Sequence, residues 1–195
     1  DLPFFHDIDV LKNHGMRVVR FHRDIPARFG ILPRKGDGSE TKWFECEPCF
    51  VLHISNCWEE GDWVIMDGCR SIEPMQKPNA NEGELSHMLA YMRLKANAYR
   101  WRFNLRTGQV IESDIDDLNT EFNKANPIFA GVKGKYSYHQ KIPLVEEGGY
   151  TLKFTGLVKY NNETGQSDRW DYGEGVYGSE APFAPKVGAD RDSNE

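Results

Sequence analysis

The residues able to do chemistry in this chain are few and widely spaced. His53 stands alone inside an apolar run, Phe50-Val-Leu-His-Ile54. A histidine placed there needs a partner for each ring nitrogen, because an unsatisfied buried polar group is costly. Imidazole hydrogen-bonds as readily as it ligates, so a structural histidine and a metal ligand both remain open on residue type. Two acids share a second pattern. Glu121 in Leu118-Asn-Thr-Glu-Phe122 and Glu180 in Gly178-Ser-Glu-Ala-Pro-Phe183 are lone carboxylates between an aromatic and small residues. Each is either a surface acid or a half-buried acceptor for an imidazole N–H. Cys46-Glu-Pro-Cys49 has zinc-like spacing, but it leads straight into a strand, where residues three apart face opposite ways. Glu59, Glu60 and Asp62 could be the carboxylates of a hydrolase, or the solvated tip of a hairpin. His6, His14, His22, His87 and His139 follow no ligand spacing and are read as structural or exposed.

The elements that must position these groups are strands. Phe50–Ile54 and Trp63–Met66 form two buried strands, with Glu59 to Asp62 as the turn between them. Eighteen glycines and ten prolines punctuate short β-branched and aromatic segments over 195 residues, which predicts an all-β architecture. A helical turn at Asp9–Asn13 ends at Gly15, Met16–Phe21 alternates as a strand, and Ile25–Pro33 resumes β structure. Arg34–Lys42 is a hairpin loop, and Ser71–Ser86 is an exposed polar excursion. Arg102-Phe-Asn-Leu-Arg-Thr-Gly-Gln109 recurs as Lys159-Tyr-Asn-Asn-Glu-Thr-Gly-Gln166, with the two threonines 57 residues apart. Either two hairpins share a common turn, or a sheet unit repeats at a period that suits four-stranded propeller blades.

Composition narrows the function. The formal net charge is −6 with both signs dispersed, and no basic–aromatic interleaving marks a nucleic-acid surface. No apolar run approaches the ~20 residues of a membrane-spanning helix. Four cysteines make no disulfide framework; reduced thiols in a cytoplasmic protein are the expectation. The chain opens without Met inside an apolar phrase and closes in a polar run, so residues 1–195 are read as one partial domain of a longer protein.

Together these pieces resemble the carotenoid cleavage oxygenases, the family that includes lignostilbene dioxygenases and retinal-pigment-epithelium isomerases. The matching phrases occur in the family's order. They are Asp1-Leu-Pro3, Pro26 to Arg34 (PARFGILPR), Cys49 to Asp62 (CFVLHISNCWEEGD), Thr120-Glu-Phe122 and Ser179-Glu-Ala-Pro-Phe183. The resemblance implies part of a seven-bladed β-propeller with Fe(II) on its axis, held by four histidines, three of them backed by glutamates. Carried over, His53 falls on an iron-ligand position, and Glu121 and Glu180 fall on the positions that orient ligands. The other three histidines and the third glutamate would lie outside residues 1–195. Asn123 stands where relatives often have Pro. The implied reaction is cleavage of a conjugated C=C bond in a carotenoid, apocarotenoid or stilbene by O2. Membrane contact, where present, would come from parts outside this segment. A non-catalytic propeller used for binding is the alternative, as is a hydrolase built on Glu59 or Glu60.

Overall fold

Short apolar strands separated by Gly, Pro and Asn leave little for a helix to propagate, and the computed structural model is correspondingly β-rich. It describes residues 1–15, 18–144 and 152–190. In chain order the elements are β1 (Phe4–His6), α1 (Ile8–His14), β2 (Val19–Phe21), β3 (Ala27–Ile31), β4 (Lys42–Cys46), β5 (Phe50–Glu60), β6 (Trp63–Ser71), α2 (Ser86–Tyr91), β7 (Asn97–Asn104), β8 (Val110–Ala125), β9 (Tyr136–Lys141), β10 (Gly156–Asn161) and β11 (Ser167–Asp171). The strand expected over Met16–Phe21 is present as β2, its first two residues lying outside the described set. The polar run at the chain end lies outside it from residue 191. The excursion after Ser71 differs from the open loop expected. It contains a 3-10 stretch at Ala80–Leu85 and then α2, because the Asn79 side chain caps Asn81 N–H at 3.0 Å and so starts a helical turn.

Seven strands form one continuous antiparallel ladder in the order β11-β10-β9-β8-β7-β6-β5, and β1-β2 and β3-β4 are separate two-stranded sheets. The ladder is two four-stranded units that share one strand. The first half of β8 pairs with β7 through Val110–Asp114, and its second half pairs with β9 through Thr120–Ala125. The two units close on each other so that β5 lies against β8, its non-neighbour in the ladder.

The repeated octapeptide proves to be the same turn built twice. Asn104 Oδ1 accepts the Arg106 and Thr107 N–H groups at 3.0 and 2.8 Å, and Asn161 Oδ1 accepts those of Glu163 and Thr164 at 3.0 and 3.2 Å. Gly108 and Gly165 then take φ of 76° and 73°, a left-handed conformation open to glycine at no steric cost. Each turn therefore joins the third and fourth strands of its own unit, β7 to β8 and β10 to β11.

Two apolar layers flank the first unit. On one side the β3–β4 hairpin packs Ala27, Phe44 and Cys46 against Val64, Met66, Trp101 and Phe103, with the Phe44 and Phe103 rings 5.2 Å apart. On the other side Ala98 of β7 meets Val158 and Tyr160 of β10, so the second unit covers the first. β6, covered on both faces, is buried from Val64 to Cys69 and shows no alternation. Cys46 and Cys49 were expected to face apart. Instead both enter the first layer, because a bend at Glu47–Pro48 folds the chain between β4 and β5. Burial raises both thiols, that of Cys49 to about 12, so they behave as small apolar side chains.

His139 is wholly enclosed between the units. Its Nδ1 lies 3.4 Å from Cys69 Sγ, its Nε2 lies 3.1 Å from Ser137 Oγ, and its ring meets Tyr160 edge-on at 4.8 Å. Burial pushes this imidazole down to about 3. The unfolded chain takes up the His139 proton below about pH 6.5 while the folded chain refuses it until about 3. Stability from this group is thus complete above pH 6.5 and falls on acidification by about 1.4 kcal/mol per pH unit. Unfolding midpoints measured from pH 7 to pH 4 should show a shallower acid slope in His139→Gln than in the parent. Equal slopes would assign the acid sensitivity elsewhere.

Candidate metal centre

β5 would bury alternate residues if it were regular. Its register against β6 shifts between Val51 and Ile54 and again between Ile54 and Asn56, so His53 sits in an irregular stretch. Such bulges re-aim a side chain. Gly68, opposite Ile54, makes the arrangement sterically feasible: a Cβ there would come within 2.9 Å of the His53 carbonyl oxygen and 3.4 Å of Ile54 Cα. β8 carries a matching irregularity between Glu121 and Lys124. Within it Phe122 adopts φ 53°, the one positive φ at a non-glycine among the described residues. Two facing irregularities therefore deliver a histidine and a glutamate 68 positions apart.

His53 Nδ1 lies 2.7 Å from Glu121 Oε2. The same oxygen accepts the Phe122 backbone N–H. That bond fixes Oε2 as an acceptor, so Nδ1 carries the proton and Nε2 keeps its lone pair. The pair is asymmetric in solvent: the Glu121 side chain is 1% exposed and the His53 side chain 31%. Burial raises the Glu121 carboxyl, opposed by the Phe122 N–H and by the imidazole. A cation on the far side of the ring would favour the ionised carboxylate further. The Phe122 ring packs on the imidazole at 4.8 Å and on Phe154 at 4.8 Å. One rung along, Asn123 Nδ2 donates to Ser55 Oγ, so the two strands are clasped twice.

These residues fit a metal such as iron in kind. A neutral imidazole presents one nitrogen outward, and a dry carboxylate holds the other nitrogen and offsets positive charge. Among the described residues no group of three or more His, Cys, Asp and Glu side chains converges on one point. Glu180 is not brought to His53. Of the two placements open from sequence, it takes the exposed one, with its side chain 61% accessible and its carboxylate 3.7 Å from Lys124 Nζ. Its segment is nonetheless anchored near the site, since Gly178 N–H donates to the Phe154 carbonyl at 2.8 Å. The hydrolase reading fares poorly. Glu60 accepts from Lys133 and from Trp58 Nε1 at 2.7 and 3.1 Å, which lowers its carboxyl when a general acid needs it raised, and Asp62 is bound to Arg106 at 2.7 Å. Sequence reasoning missed Ser55, Gly68 and Phe122, and marked Asn123 only as a departure from the Pro of relatives. Only the departure from alternation around His53 hinted at a bulge.

The family model described as "Retinal pigment epithelial membrane protein" matches residues 1–194. The chain belongs to this family, the carotenoid cleavage oxygenases. A carotenoid 9,10(9',10')-cleavage dioxygenase 1 of Arabidopsis thaliana is 30% identical over 209 residues, covering 98% of this chain and 36% of the relative. The lignostilbene dioxygenase of Pseudomonas brassicacearum superposes with a TM-score of 0.76 at 24% identity, over 97% of this chain and 41% of that one. A cobalt-substituted apocarotenoid oxygenase of Synechocystis gives 0.70 at 21% identity, over 88% and 34%. The fold is accordingly all-β and part of a β-propeller. The chain spans about a third of the length of the curated relatives it matches.

The fit of Gly68 against the His53 backbone can be tested. Gly68→Ala should push the bulge out and cost about 1–3 kcal/mol, the usual penalty of overpacking. Denaturant unfolding measures it, and an unchanged midpoint would mean that β5 yields without strain.

Proposed function

We propose that the protein containing this chain is a non-haem Fe(II)-dependent dioxygenase. It would cleave a conjugated C=C bond of a carotenoid, apocarotenoid or stilbene with O2, giving two carbonyl products. The observation that carries this reading is the His53–Glu121 pair, a lone imidazole oriented by a buried carboxylate with its second nitrogen outward. Family membership supports it, as do the substrates in the relatives' names and the cobalt held by one solved relative.

In this reading the two four-stranded units are consecutive propeller blades of one partial domain, with β5 and the second half of β8 as their inner strands. His53 is one of four imidazole ligands, the others coming from outside residues 1–195. Fe(II), when bound, supplies the activation of O2. The chain's own residues do the rest. Glu121 holds the proton on His53 Nδ1 and so keeps Nε2 free to ligate. Phe122, backed by Phe154, covers one side of the imidazole. Glu180 would orient a histidine other than His53, from outside the described residues. The four unpaired cysteines support a cytoplasmic location, with any membrane contact made by parts outside this segment.

In the full-length protein, His53→Ala should abolish iron retention after desalting while circular dichroism stays near that of the parent. Normal iron content would overturn the assignment. Glu121→Gln should weaken iron retention or turnover by about 10–100-fold, the usual cost of losing an outer partner of a metal ligand. Unchanged metal content and kinetics would reduce Glu121 to an ordinary acid. Residues 1–195 expressed alone, with one identified ligand of the four and no neighbouring blades, should retain no stoichiometric Fe(II) and cleave no polyene, since selectivity needs ligand number and geometry. Iron retention with O2-dependent turnover would mean that the site is completed within this segment.

A further inference from the structure

Behind Glu121 the second unit holds a polar residue that the site has not yet used. Gln140 of β9 lies directly opposite Glu121 across the β8–β9 ladder. Opposed residues of an antiparallel pair project from the same face with Cβ atoms about 4.5–5.5 Å apart. Both are fully enclosed, Glu121 at 0% and Gln140 at 1% exposure. Each carries one buried polar atom with no hydrogen-bond partner among the described residues, Oε1 of Glu121 and Nε2 of Gln140. The first is an acceptor and the second a donor. Leaving either unmet costs about 1–3 kcal/mol.

The orientation of the Gln140 amide is set from its other end. The Tyr172 hydroxyl donates to Gln140 Oε1 at 3.2 Å. Tyr172 is itself held by its N–H to the Thr155 carbonyl at 2.9 Å. Its ring lies so close to Gly178 that a Cβ there would come within 2.6 Å of it. With the amide oxygen committed to Tyr172, the N–H end is the one left for the carboxylate.

We propose that Gln140 is a positioning residue for His53, acting through Glu121. Its amide N–H supports Glu121 Oε1 across one bridging water, while Tyr172 holds the amide in that orientation. A carboxylate held at both oxygens does not swing about its terminal torsion. Oε2 then stays aimed at Nδ1, and the imidazole plane stays fixed toward the metal. This inference rests on the reading of His53 as an iron ligand.

The test is the rate of iron loss to a chelator from the full-length, iron-loaded protein. Gln140→Met keeps the bulk and removes the donor; it should speed loss by about tenfold, the low end for outer partners of metal ligands. Tyr172→Phe removes one oxygen atom and should act in the same direction but less, and it carries the test should Gln140→Met fail to fold. The deciding measurement is the double-mutant cycle with Glu121→Ala. If Gln140 works through Glu121, Gln140→Met adds no further loss in that background. Additive effects, or parent-like loss in both Gln140→Met and Tyr172→Phe, would overturn the inference and leave Gln140 as packing. The two failures are separable. Iron retained in His53→Ala overturns the underlying reading, whereas iron lost there but held normally in Gln140→Met overturns this inference alone.

Discussion

A carboxylate taken out of water must be met by donors, and this requirement organises the centre of the molecule. Glu121 is desolvated by the second unit and answered by His53 from the first. The bond between them is charge-assisted, so it is stronger than a neutral hydrogen bond and directional. It can form only if both strands depart from regular pairing at the right places, and both do. Phe122 gives up a favourable backbone conformation so that its N–H reaches the same oxygen. An αL phenylalanine costs of order 1–3 kcal/mol. The bonds to Oε2, the Asn123–Ser55 rung and the packing of Phe122 between His53 and Phe154 offset that cost.

The two units are tied by covalent continuity as well as by contact. β8 serves as the last strand of one and the first strand of the next, so the layer of Ala98, Val158 and Tyr160 and the His53–Glu121 clasp are set by one backbone. Asp116, where the strand passes between units, is bound by the Tyr160 hydroxyl at 2.9 Å and by Arg169 at 3.0 Å. Asn119 then accepts the Ala96 N–H at 2.8 Å through its side chain and the Ile142 N–H at 3.0 Å through its carbonyl. The path into the site is therefore fixed residue by residue.

Much of this was legible in the sequence, for definite reasons. Apolar runs bounded by turn residues gave β5 and β6, and the doubled Asn-x-x-Thr-Gly phrase announced two turns because Asn capping and left-handed Gly are local chemistry. His53 and Glu121 stood out as polar residues among apolar or small neighbours. Their partnership was legible only through a family likeness, since nothing local says that positions 68 apart meet. Glu180 could not be placed from its neighbours, because an acid beside an aromatic looks the same whether a lysine or a histidine answers it. Gly68 and Gln140 were invisible. One matters for the atom it lacks and the other for the residue across the ladder, and both are facts of register.

The tethering of Asn119 has a consequence for how the chain can vary in length. A single residue, Thr120, separates that anchor from Glu121. Side chains alternate faces along a strand, so one residue gained or lost at this point would turn the carboxylate away from the imidazole. Two residues would restore the face but carry it about 7 Å along the strand. Hairpin tips such as that of Glu59–Asp62 can absorb length changes at the surface. The two peptide links between Asn119 and Glu121 cannot, and homologous chains should differ in length almost anywhere else before they differ there.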